Sequence, residues 1–429
     1  MIPAIVAGNS LATLPNLLCG WKVVGELSTP VFLARQPIYD NRLNVYGYEL
    51  LYRRGPALGP GEMSEADSAR SLTNALIEIG LNELVSRHKA FVNVSEGLIT
   101  SGVLESFPRT RVILEVLEDV RPTEAVLTEL KRLRKMGYTI ALDDFIWNEL
   151  TEPMLPLADL IKIDISQYHM TALPETLRKL RERPLRILAE RVETHEEYAE
   201  CRAMGFEYFQ GYFMAKPEVV EGRSLPMNHL ALVRLISKVN DPNLTLEDLE
   251  GIIASEVQLN VRLLKFIKGA YYDLPSKVDS IRKALLFVGI KTLAALASLL
   301  MLSQFSHKPS ELVFTAMMRA KMCEQMARAK GFADTDRHFT VGMLSVLDAL
   351  LDVPMKELLA QLPLSEEVNV ALLDAECDSE LAVVLQATLA YERGNFEAVT
   401  SAGFALSDAN AAYRSSVAWA GHTQMTLAA

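Results

Sequence analysis

The sequence has little of what defines several large classes of protein. No two of its cysteines form a CxxC pair, and the 429 residues contain only four of them: Cys19, Cys201, Cys323 and Cys377. This pattern excludes a disulfide framework and a zinc knuckle, and it fits a reducing compartment. The longest nearly apolar run, residues 293–302, is shorter than the roughly 20 residues that a membrane-spanning helix requires. We therefore expect a cytoplasmic protein that does not enter the membrane.

The sequence also has fewer basic than acidic residues, with 43 Lys and Arg against 54 Asp and Glu. The formal net charge of −11 disfavours binding of a nucleic-acid polymer through a broad basic face. A small anionic ligand is still compatible with an acidic protein if metal ions lie between the two. Residues 1–30 lack the basic start and apolar centre of a signal peptide, and we interpret them as an N-terminal extension that need not be ordered.

The remaining composition, 50% hydrophobic and 23% charged, is that of a packed globular chain with two or three domains. The pattern changes near residues 217–228. Upstream of this point short apolar runs alternate with helical patterns, whereas almost everything downstream has helical periodicity. We predict a first domain at residues 31–217, a linker at 218–226 and an all-helical domain at 227–429.

The first domain contains eight candidate strands, most of them separated by amphipathic stretches. A repeating strand–helix order of this length is typical of a parallel (β/α)8 barrel, so the whole chain is predicted to be α/β plus all-α. The candidate strands are residues 31–39, 45–52, 90–95, 111–117, 138–145, 160–166, 186–192 and 208–215.

Polar residues interrupt seven of these runs near their ends. In a parallel barrel the carboxyl ends of all strands meet at one mouth, where this fold places its chemistry. A single glutamate there is more often a solvated rim residue, but a buried set on different strands requires a metal or a charged partner. The set comprises Glu49, Asn93, Glu115, Asp143 with Asp144, Lys162, Glu190 and Gln210.

The chemistry of this set indicates divalent cations and a phosphate ester. The carboxylate and amide oxygens are hard ligands that suit Mg²⁺, Mn²⁺ or Ca²⁺ better than zinc, and Asp144 and Glu190 are candidates for a second ion. Two ions about 3.5–4 Å apart can clamp the attacking and leaving oxygens of a phosphodiester. Lys162 is a candidate to orient or activate the attacking water, or to offset charge on the phosphate. Arg53 is a candidate to bind a phosphate of the ligand. Spacing alone does not identify the ester.

Short motifs follow one another along the first domain in a specific order. They are RQPIYD (35–40), GYELLYR (47–53), FVNVS (91–95), LEVLED (114–119), ALDDF (141–145), IKID (161–164), AERVET (189–194) and QGYFMAKP (210–217). With the 20-residue step from Glu190 to Gln210, this order resembles the EAL family of cyclic-di-GMP-specific phosphodiesterases, which adopts a barrel of this kind. The resemblance implies cyclic di-GMP as the ligand and Mg²⁺ or Mn²⁺ as the cofactor, with two ions possible.

The resemblance also implies a role for each matching position. Metal ligands are expected at Glu49, Asn93, Glu115 and Asp143, with a ligand of a second ion at Asp144. Catalytic positions are expected at Lys162 and Glu190, with Glu118 steadying the loop after the two aspartates. Substrate contacts are expected at Gln36, Arg53, Asp164 and Gln210.

Three departures from the family pattern bear on activity. The signature triplet is Glu49-Leu50-Leu51 rather than Glu-Ala-Leu, a mild apolar change. Arg191 stands where the family has a glycine. After the two aspartates the family has Phe-Gly-Thr-Gly, whereas this chain has Phe-Ile-Trp-Asn at residues 145–148. The stretch from Asp143 to Lys162 is also shorter than in active members of the family. Glycines allow positive φ in such a loop, which Ile and Trp adopt only at a cost, so we expect this loop to be rebuilt.

The second half resembles an HDOD domain, above all in residues 255–293. This helical module is related to HD-type phosphohydrolases but lacks their metal-binding dyad, and no His-Asp dipeptide occurs in this chain. The histidines of this half are spread widely, so no metal site is expected there. The order of an EAL domain followed by an HDOD domain is itself a family arrangement.

Three functions are consistent with the sequence. In the first, the barrel binds cyclic di-GMP through divalent metals with weak or absent hydrolysis, and the HDOD domain relays the signal to an unidentified protein partner. In the second, the barrel is an active phosphodiesterase that produces linear pGpG. In the third, both domains are nucleotide-independent scaffolds. The complete set of charged positions counts against the third, while Arg191 and the altered loop count against the second. A homodimer is compatible with all three.

Overall fold

The computed structural model describes residues 31–54, 81–167, 173–216, 310–362, 364–374 and 377–428, together with the single residues 245, 249, 263, 290, 293 and 297. The predictions for the extension at 1–30, the linker at 218–226 and the first helices of the second half therefore lie outside the described residues. The predicted domain boundaries stay predictions.

All eight predicted strands are present, and they close into a barrel in sequence order from β1 to β8. They are β1 (Val31–Asp40), β2 (Val45–Arg54), β3 (Lys89–Val94), β4 (Val112–Val116), β5 (Thr139–Leu142), β6 (Leu160–Asp164), β7 (Arg186–Glu190) and β8 (Tyr208–Gln210).

One strand departs from the predicted parallel arrangement. β1 runs antiparallel to both of its neighbours, β2 and β8, whereas every other neighbouring pair is parallel. The reversal follows from the tight turn after β1, where Asp40 Oδ1 accepts hydrogen bonds from the backbone N–H groups of Arg42 (2.8 Å) and Asn44 (2.9 Å). A turn this short joins β1 and β2 as a hairpin, which forces them to be antiparallel.

The interior of the barrel has an apolar floor beneath a polar layer. The floor is formed by Ile38, Phe91, Ile113, Ala141, Leu160 and Leu188. Residues two positions apart on a strand point to the same face. Two positions after the floor residues of the strands β3 to β7 come Asn93, Glu115, Asp143, Lys162 and Glu190. Strand alternation therefore sets the polar residues directly above a closed apolar floor.

The hairpin strands β1 and β2 contribute to the apolar floor and the polar layer differently from β3 to β7. Because β1 is antiparallel, Gln36 comes two positions before the floor residue Ile38 and still lies at the level of Glu49, its partner on β2. β2 has Gly47 at floor level, where a Cβ atom would lie 3.0 Å from the Phe91 ring and 2.9 Å from the carbonyl oxygen of Lys89. The absence of a side chain at Gly47 leaves that space to Phe91.

Helices cover the barrel from outside, and their apolar faces pack on the outward side chains of the strands in a second core. The helix Glu124–Lys135 begins at the N-cap Thr123, and the helix His195–Ala203 begins with a capping box between Thr194 and Glu197. The barrel helices are Leu81–Val85, Glu96–Thr100, Glu124–Lys135, Leu173–Leu180 and His195–Ala203, with 3₁₀ turns at Val103–Ser106, Glu152–Leu157 and Phe213–Ala215.

The described part of the second half is helical, as predicted. Its helices are Ser310–Lys330, Thr335–Leu344, Leu347–Leu351, Met355–Gln361, Glu366–Leu373, Glu380–Glu392, Phe396–Ser401 and Leu406–Ala428. A buried ion pair joins two of them, with Arg319 Nε 2.7 Å from Glu392 Oε2. Among the described residues, none of the helices has the combination of length and hydrophobicity needed to cross a bilayer.

The helical half packs against the start of β1. Phe32 and Ala34 are buried in the core of the helices and not in the core of the barrel. Tyr391 Oη donates a hydrogen bond to the carbonyl oxygen of Leu33 (3.3 Å), and Tyr413 Oη accepts one from the backbone N–H of Arg35 (3.1 Å). Since β1 is antiparallel, residues before Gln36 lie on the mouth side of the barrel. The helical half therefore borders the mouth.

Candidate metal centre at the barrel mouth

Lys162 lies at the centre of the mouth and is only 1% exposed. Its Nζ is 2.8 Å from Asp143 Oδ1, 2.8 Å from Glu190 Oε1 and 3.4 Å from Glu49 Oε2. It also donates a short hydrogen bond to Glu115 Oε1. One ammonium group is thus surrounded by carboxylates from β2, β4 and β7 and from the residue that follows β5.

Amide side chains hold Glu49 from two sides. Gln210 Nε2 donates to Glu49 Oε2 at 2.5 Å and to Gln36 Oε1 at 3.1 Å. Asn93 Nδ2 donates to Glu49 Oε1 at 3.5 Å. These contacts bring β1, β2, β3 and β8 into the same site, so four residues that the sequence predicted from distant motifs meet at one place.

The charges at the centre do not balance. Four carboxylates face one ammonium group, so full ionisation would leave three uncompensated negative charges. Burial and the neighbouring Glu49 raise the pKa of Glu115 well above its ordinary value, and burial raises the pKa of Glu190 to about 8. Burial disfavours the charged form of Lys162, but the carboxylates outweigh it and raise the Lys162 pKa, so this side chain stays protonated.

This arrangement fits divalent cations. Buried oxygen acceptors without a hydrogen-bond partner in the described structure cost free energy that a cation would recover. Four such atoms lie here: Asn93 Oδ1, Glu115 Oε2, Glu190 Oε2 and Gln210 Oε1. One carboxylate oxygen each from Glu49, Glu115 and Glu190 lie within 4.8 Å of one another. Hard oxygen donors with excess negative charge are the environment that Mg²⁺, Mn²⁺ and Ca²⁺ prefer.

Asp144 and Glu118 lie at the edge of this centre. Asp144 is half-buried with φ of 40°, and burial together with Asp143 and Asp164 raises its pKa. Glu118 is exposed in the turn after β4 and acts on Asp144 through its charge. Its carboxylate makes no hydrogen bond or ion pair with another described residue, so its role in steadying the loop stays a prediction.

The other predicted substrate positions lie on β6 and β2. Asp164 is 2% exposed at the end of β6, and its Oδ1 accepts hydrogen bonds from the Ser166 N–H (2.9 Å) and hydroxyl (2.7 Å). The backbone of Arg53 pairs with Phe32 across the hairpin. The Arg53 side chain lies outside what the structure describes.

The loop after Asp144 is held by its own polar side chains. Asn148 Oδ1 accepts hydrogen bonds from the backbone N–H groups of Leu150 (2.8 Å) and Thr151 (3.0 Å), and the Thr151 hydroxyl donates to the carbonyl oxygen of Ile146 (2.7 Å). Neither Ile146 nor Trp147 has positive φ. An Asx turn at Asn148 therefore shapes this loop without the glycine conformations of the family pattern.

Sequence reasoning missed why a glycine follows Gln210. Gly211 has φ of 152°, and a Cβ atom there would lie 2.0 Å from the carbonyl oxygen of Val192. The Val192 N–H donates to the carbonyl oxygen of Gln210 at 3.0 Å. The segments after β7 and β8 are thus in backbone contact close to Glu190. The glycine in the motif QGYFMAKP was the available signal.

A closed barrel with carboxylates gathered around one lysine at its mouth defines the first half as a barrel protein with a candidate divalent-metal centre. Family models match both halves: the EAL domain at residues 30–217 and the HDOD domain at residues 225–379. A solved standalone EAL protein from Vibrio cholerae, in a form with bound cyclic di-GMP, aligns with 44% of this chain and 93% of its own at 21% identity and a TM-score of 0.35.

Two relatives cover most of the chain. Cyclic di-GMP phosphodiesterase CdgJ of Vibrio cholerae is 33% identical over 374 residues, which are 86% of this chain and 86% of that protein. The uncharacterized protein YuxH of Bacillus subtilis is 31% identical over 361 residues, 81% of this chain and 88% of that protein. The chain belongs to the family in which an EAL domain is followed by an HDOD domain, which confirms both resemblances seen in the sequence.

Proposed function

We propose that the barrel binds cyclic di-GMP through divalent cations at its mouth, with weak or absent hydrolysis, and that the helical domain passes the signal to a protein partner. The observation that carries the proposal is the convergence of four carboxylates on Lys162, with unpartnered oxygen acceptors beside them. The name of the Vibrio cholerae relative, a cyclic di-GMP phosphodiesterase, supports this choice of ligand.

The proposed ions are Mg²⁺ or Mn²⁺, and the excess of carboxylates at the mouth is compatible with two of them. Glu49, Asn93, Glu115 and Asp143 would supply ligands, with Asp144 and Glu190 as candidates for a second ion. When bound, such ions polarise the phosphodiester and lower the pKa of water.

Lys162 has a defined part in this proposal. Its Nζ contacts the carboxylates of Glu49, Glu115, Asp143 and Glu190, so it would hold them together and offset negative charge on the phosphate.

Weak hydrolysis is proposed because of the loop that follows Asp144. Asp144 adopts φ of 40° at the point where this loop leaves the mouth, and the Asx turn at Asn148 fixes the loop a few residues later. A displacement of about 1 Å at a catalytic group can reduce the rate about a hundredfold, so a small change in loop shape is sufficient to separate binding from turnover.

The second candidate is an active phosphodiesterase that releases pGpG. It is supported by the convergence of Glu49, Glu115, Asp143 and Glu190 on Lys162, and by the name of the Vibrio cholerae relative. The two candidates share the site and differ only in rate.

A relay through the helical domain is supported by its position. The helices enclose Phe32 and Ala34, while Gln36, on the same face of the same strand, contacts Gln210 in the mouth. A partner that moved the helices would act on β1 and so on the site. The partner, a homodimer and a cytoplasmic location all stay predictions.

The test is incubation of the purified chain with cyclic di-GMP and Mg²⁺ or Mn²⁺, with bound nucleotide and released pGpG measured together. The expected result is saturable, metal-dependent binding with little product. Many turnovers per chain would establish the phosphodiesterase, and absence of both signals would leave only the scaffold function.

In Glu49→Ala any hydrolysis should disappear, and a metal-dependent rate that survived would refute the site assignment.

A further inference from the structure

Arg191 directly follows Glu190 at the end of β7 and has an unusual backbone. Its φ is 56°, in the left-handed region that residues other than glycine occupy only at an energetic cost. Residues held in such conformations concentrate at functional sites. The chain thus retains a conformation suited to glycine and yet places a long cationic side chain there.

Among the described residues, the guanidinium group of Arg191 forms an ion pair with one carboxylate. Its Nε lies 3.2 Å from Asp164 Oδ2, and the Asp164 side chain is 2% exposed, whereas that of Arg191 is 63% exposed. Asp164 is itself held, since its Oδ1 accepts two hydrogen bonds from Ser166 and its Oδ2 accepts one from Gln167 Nε2 at 2.9 Å. A buried, fully bonded carboxylate therefore orients an arginine whose outer edge faces solvent.

The same guanidinium group acts on the acidic side of the mouth. Asp144 is influenced by the negative charges of Asp143, Asp164 and Glu118, and the charge of Arg191 opposes them. Arg191 is thus a cation that acts on Asp144 at the edge of the metal centre, and its partner Asp164 is aligned with Glu190 across β6 and β7.

We infer that Arg191 binds a phosphate group of the nucleotide at the rim of the mouth, with Asp164 as its positioning residue. This inference rests on the proposed function, because it takes cyclic di-GMP as the ligand. The guanidinium group donates paired, charge-assisted hydrogen bonds to phosphate oxygens, and an arginine already oriented by Asp164 loses less freedom on binding. The contact adds affinity for the nucleotide without adding a group that takes part in its cleavage.

The test is the dissociation constant of cyclic di-GMP in the presence of Ca²⁺, measured by calorimetry for the wild type and for Arg191→Gly. Loss of a charge-assisted contact should weaken binding about 10- to 100-fold. Arg191→Lys, which keeps the charge but not the planar fork, should fall between the two. The matched control is Arg178→Ala, because Arg178 is 62% exposed on the helix Leu173–Leu180 of the same barrel. Its dissociation constant should equal that of the wild type.

A purely structural role would be revealed by thermal unfolding. Glycine relieves the left-handed backbone, and Asp164 keeps three hydrogen bonds when its ion pair is lost, so Arg191→Gly should unfold close to the wild-type temperature while binding weakens. A variant that binds more weakly and also unfolds at a clearly lower temperature would overturn the inference, because the loss of binding would then be structural. The affinity of the wild type should also decrease more steeply with salt than that of Arg191→Gly, because salt screens the exposed cation.

Each other outcome is decisive. Unchanged affinity in Arg191→Gly would overturn the inference and leave the proposed function intact. Tighter binding in that variant would also overturn it and would show that Arg191 obstructs the mouth. Absence of cyclic di-GMP binding by the wild type would overturn the proposed function and the inference together.

Discussion

At the scale of single residues, the mouth depends on a balance between Lys162 and the carboxylates around it. Lys162 contacts Glu49, Glu115, Asp143 and Glu190, and it is almost fully buried. Buried ion pairs contribute little net stability when complete, but removal of one partner leaves uncompensated charge. The same imbalance that fits divalent cations therefore makes this lysine indispensable when cations are absent.

We expect Lys162→Met to lower the free energy of unfolding by about 3–5 kcal/mol in the presence of a chelator, because the remaining carboxylates lose their counter-charge. Mn²⁺ should restore part of this loss, since ions that bind only the folded state stabilise it. Urea unfolding at neutral pH, with chelator and with Mn²⁺, measures both effects.

The control for this prediction is Lys179→Met. Lys179 is 48% exposed and lies 3.6 Å from Glu175 on the barrel surface. Exposed ion pairs contribute about 0–1 kcal/mol, so the control should stay close to the wild type. If Lys162→Met were as stable as the control in chelator, the assignment of Lys162 as the counter-charge of the buried carboxylates would be wrong.

At the scale of elements, the loop after β5 is the part of the site that differs most from the family pattern. Its Asx turn at Asn148 and the packing of Trp147 against Phe145, with ring centroids 6.1 Å apart, give it a shape of its own. This loop carries the chain away from Asp143 and Asp144, so its shape determines where the Asp144 carboxylate is held.

Replacement of Ile146-Trp147-Asn148 by Gly-Thr-Gly should increase the release of pGpG, by up to about a hundredfold if the loop displaces a catalytic group by about 1 Å. The assay is pGpG release with Mn²⁺ at saturating cyclic di-GMP. Leu150→Ala, an exposed change in the same loop, should leave the rate unaltered. Should the triple replacement also leave it unaltered, the loop does not limit turnover.

The elements also show what the sequence could and could not reveal. Short apolar runs predicted all eight strands, and the polar residues near the ends of these runs predicted the set at the mouth, because strands buried on both faces are nearly continuous in apolar residues. The direction of β1 was not predictable from such runs, since they do not distinguish parallel from antiparallel strands. Only the turn chemistry at Asp40 distinguishes them.

Contacts between residues far apart in the chain could not be predicted from the sequence either. Nothing in the sequence indicated that Tyr413 would accept a hydrogen bond from the backbone of Arg35, 378 residues earlier. Arg191 was visible as a departure from the family pattern, but its ion pair with Asp164 depends on how β6 and β7 align. Motifs predict which residues meet in a mouth more readily than which surfaces two domains share.

At the scale of the whole molecule, the barrel and the helices are joined by a buried polar contact. The Arg35 guanidinium lies 4.0 Å from the Tyr48 ring centroid and 3.9 Å from Glu311 Oε1, and the Tyr48 hydroxyl donates to Glu311 Oε2 at 2.9 Å. Burial raises the pKa of Glu311 from 4.5 to about 7, against the attraction of Arg35. The ion pair is therefore too long to offset the desolvation of the carboxylate.

A pH dependence follows from this contact. Because the folded chain holds the Glu311 proton to higher pH than the unfolded chain, the stability from this group is complete below pH 4.5 and is lost as the pH rises through 7. The difference between the two pKa values corresponds to about 3 kcal/mol. Glu311→Gln should match the wild type near pH 4 and exceed its stability near pH 8 by up to that amount.

Urea unfolding at the two pH values measures this difference. Glu182→Gln is the control, since Glu182 is 67% exposed and its substitution should not change the pH dependence. A Glu311→Gln variant less stable than the wild type at pH 8 would show that the ionised pair with Arg35 stabilises the domain contact.

The proposed function requires divalent cations at the mouth to hold the nucleotide. Calorimetric titration of cyclic di-GMP into the chelator-treated chain, and then into the same chain with Mn²⁺, measures this requirement. We expect no binding without the metal, saturable binding with it, and loss of that binding in Glu115→Gln. Equal binding with and without metal, unaffected by Glu115→Gln, would show that cations do not hold the nucleotide.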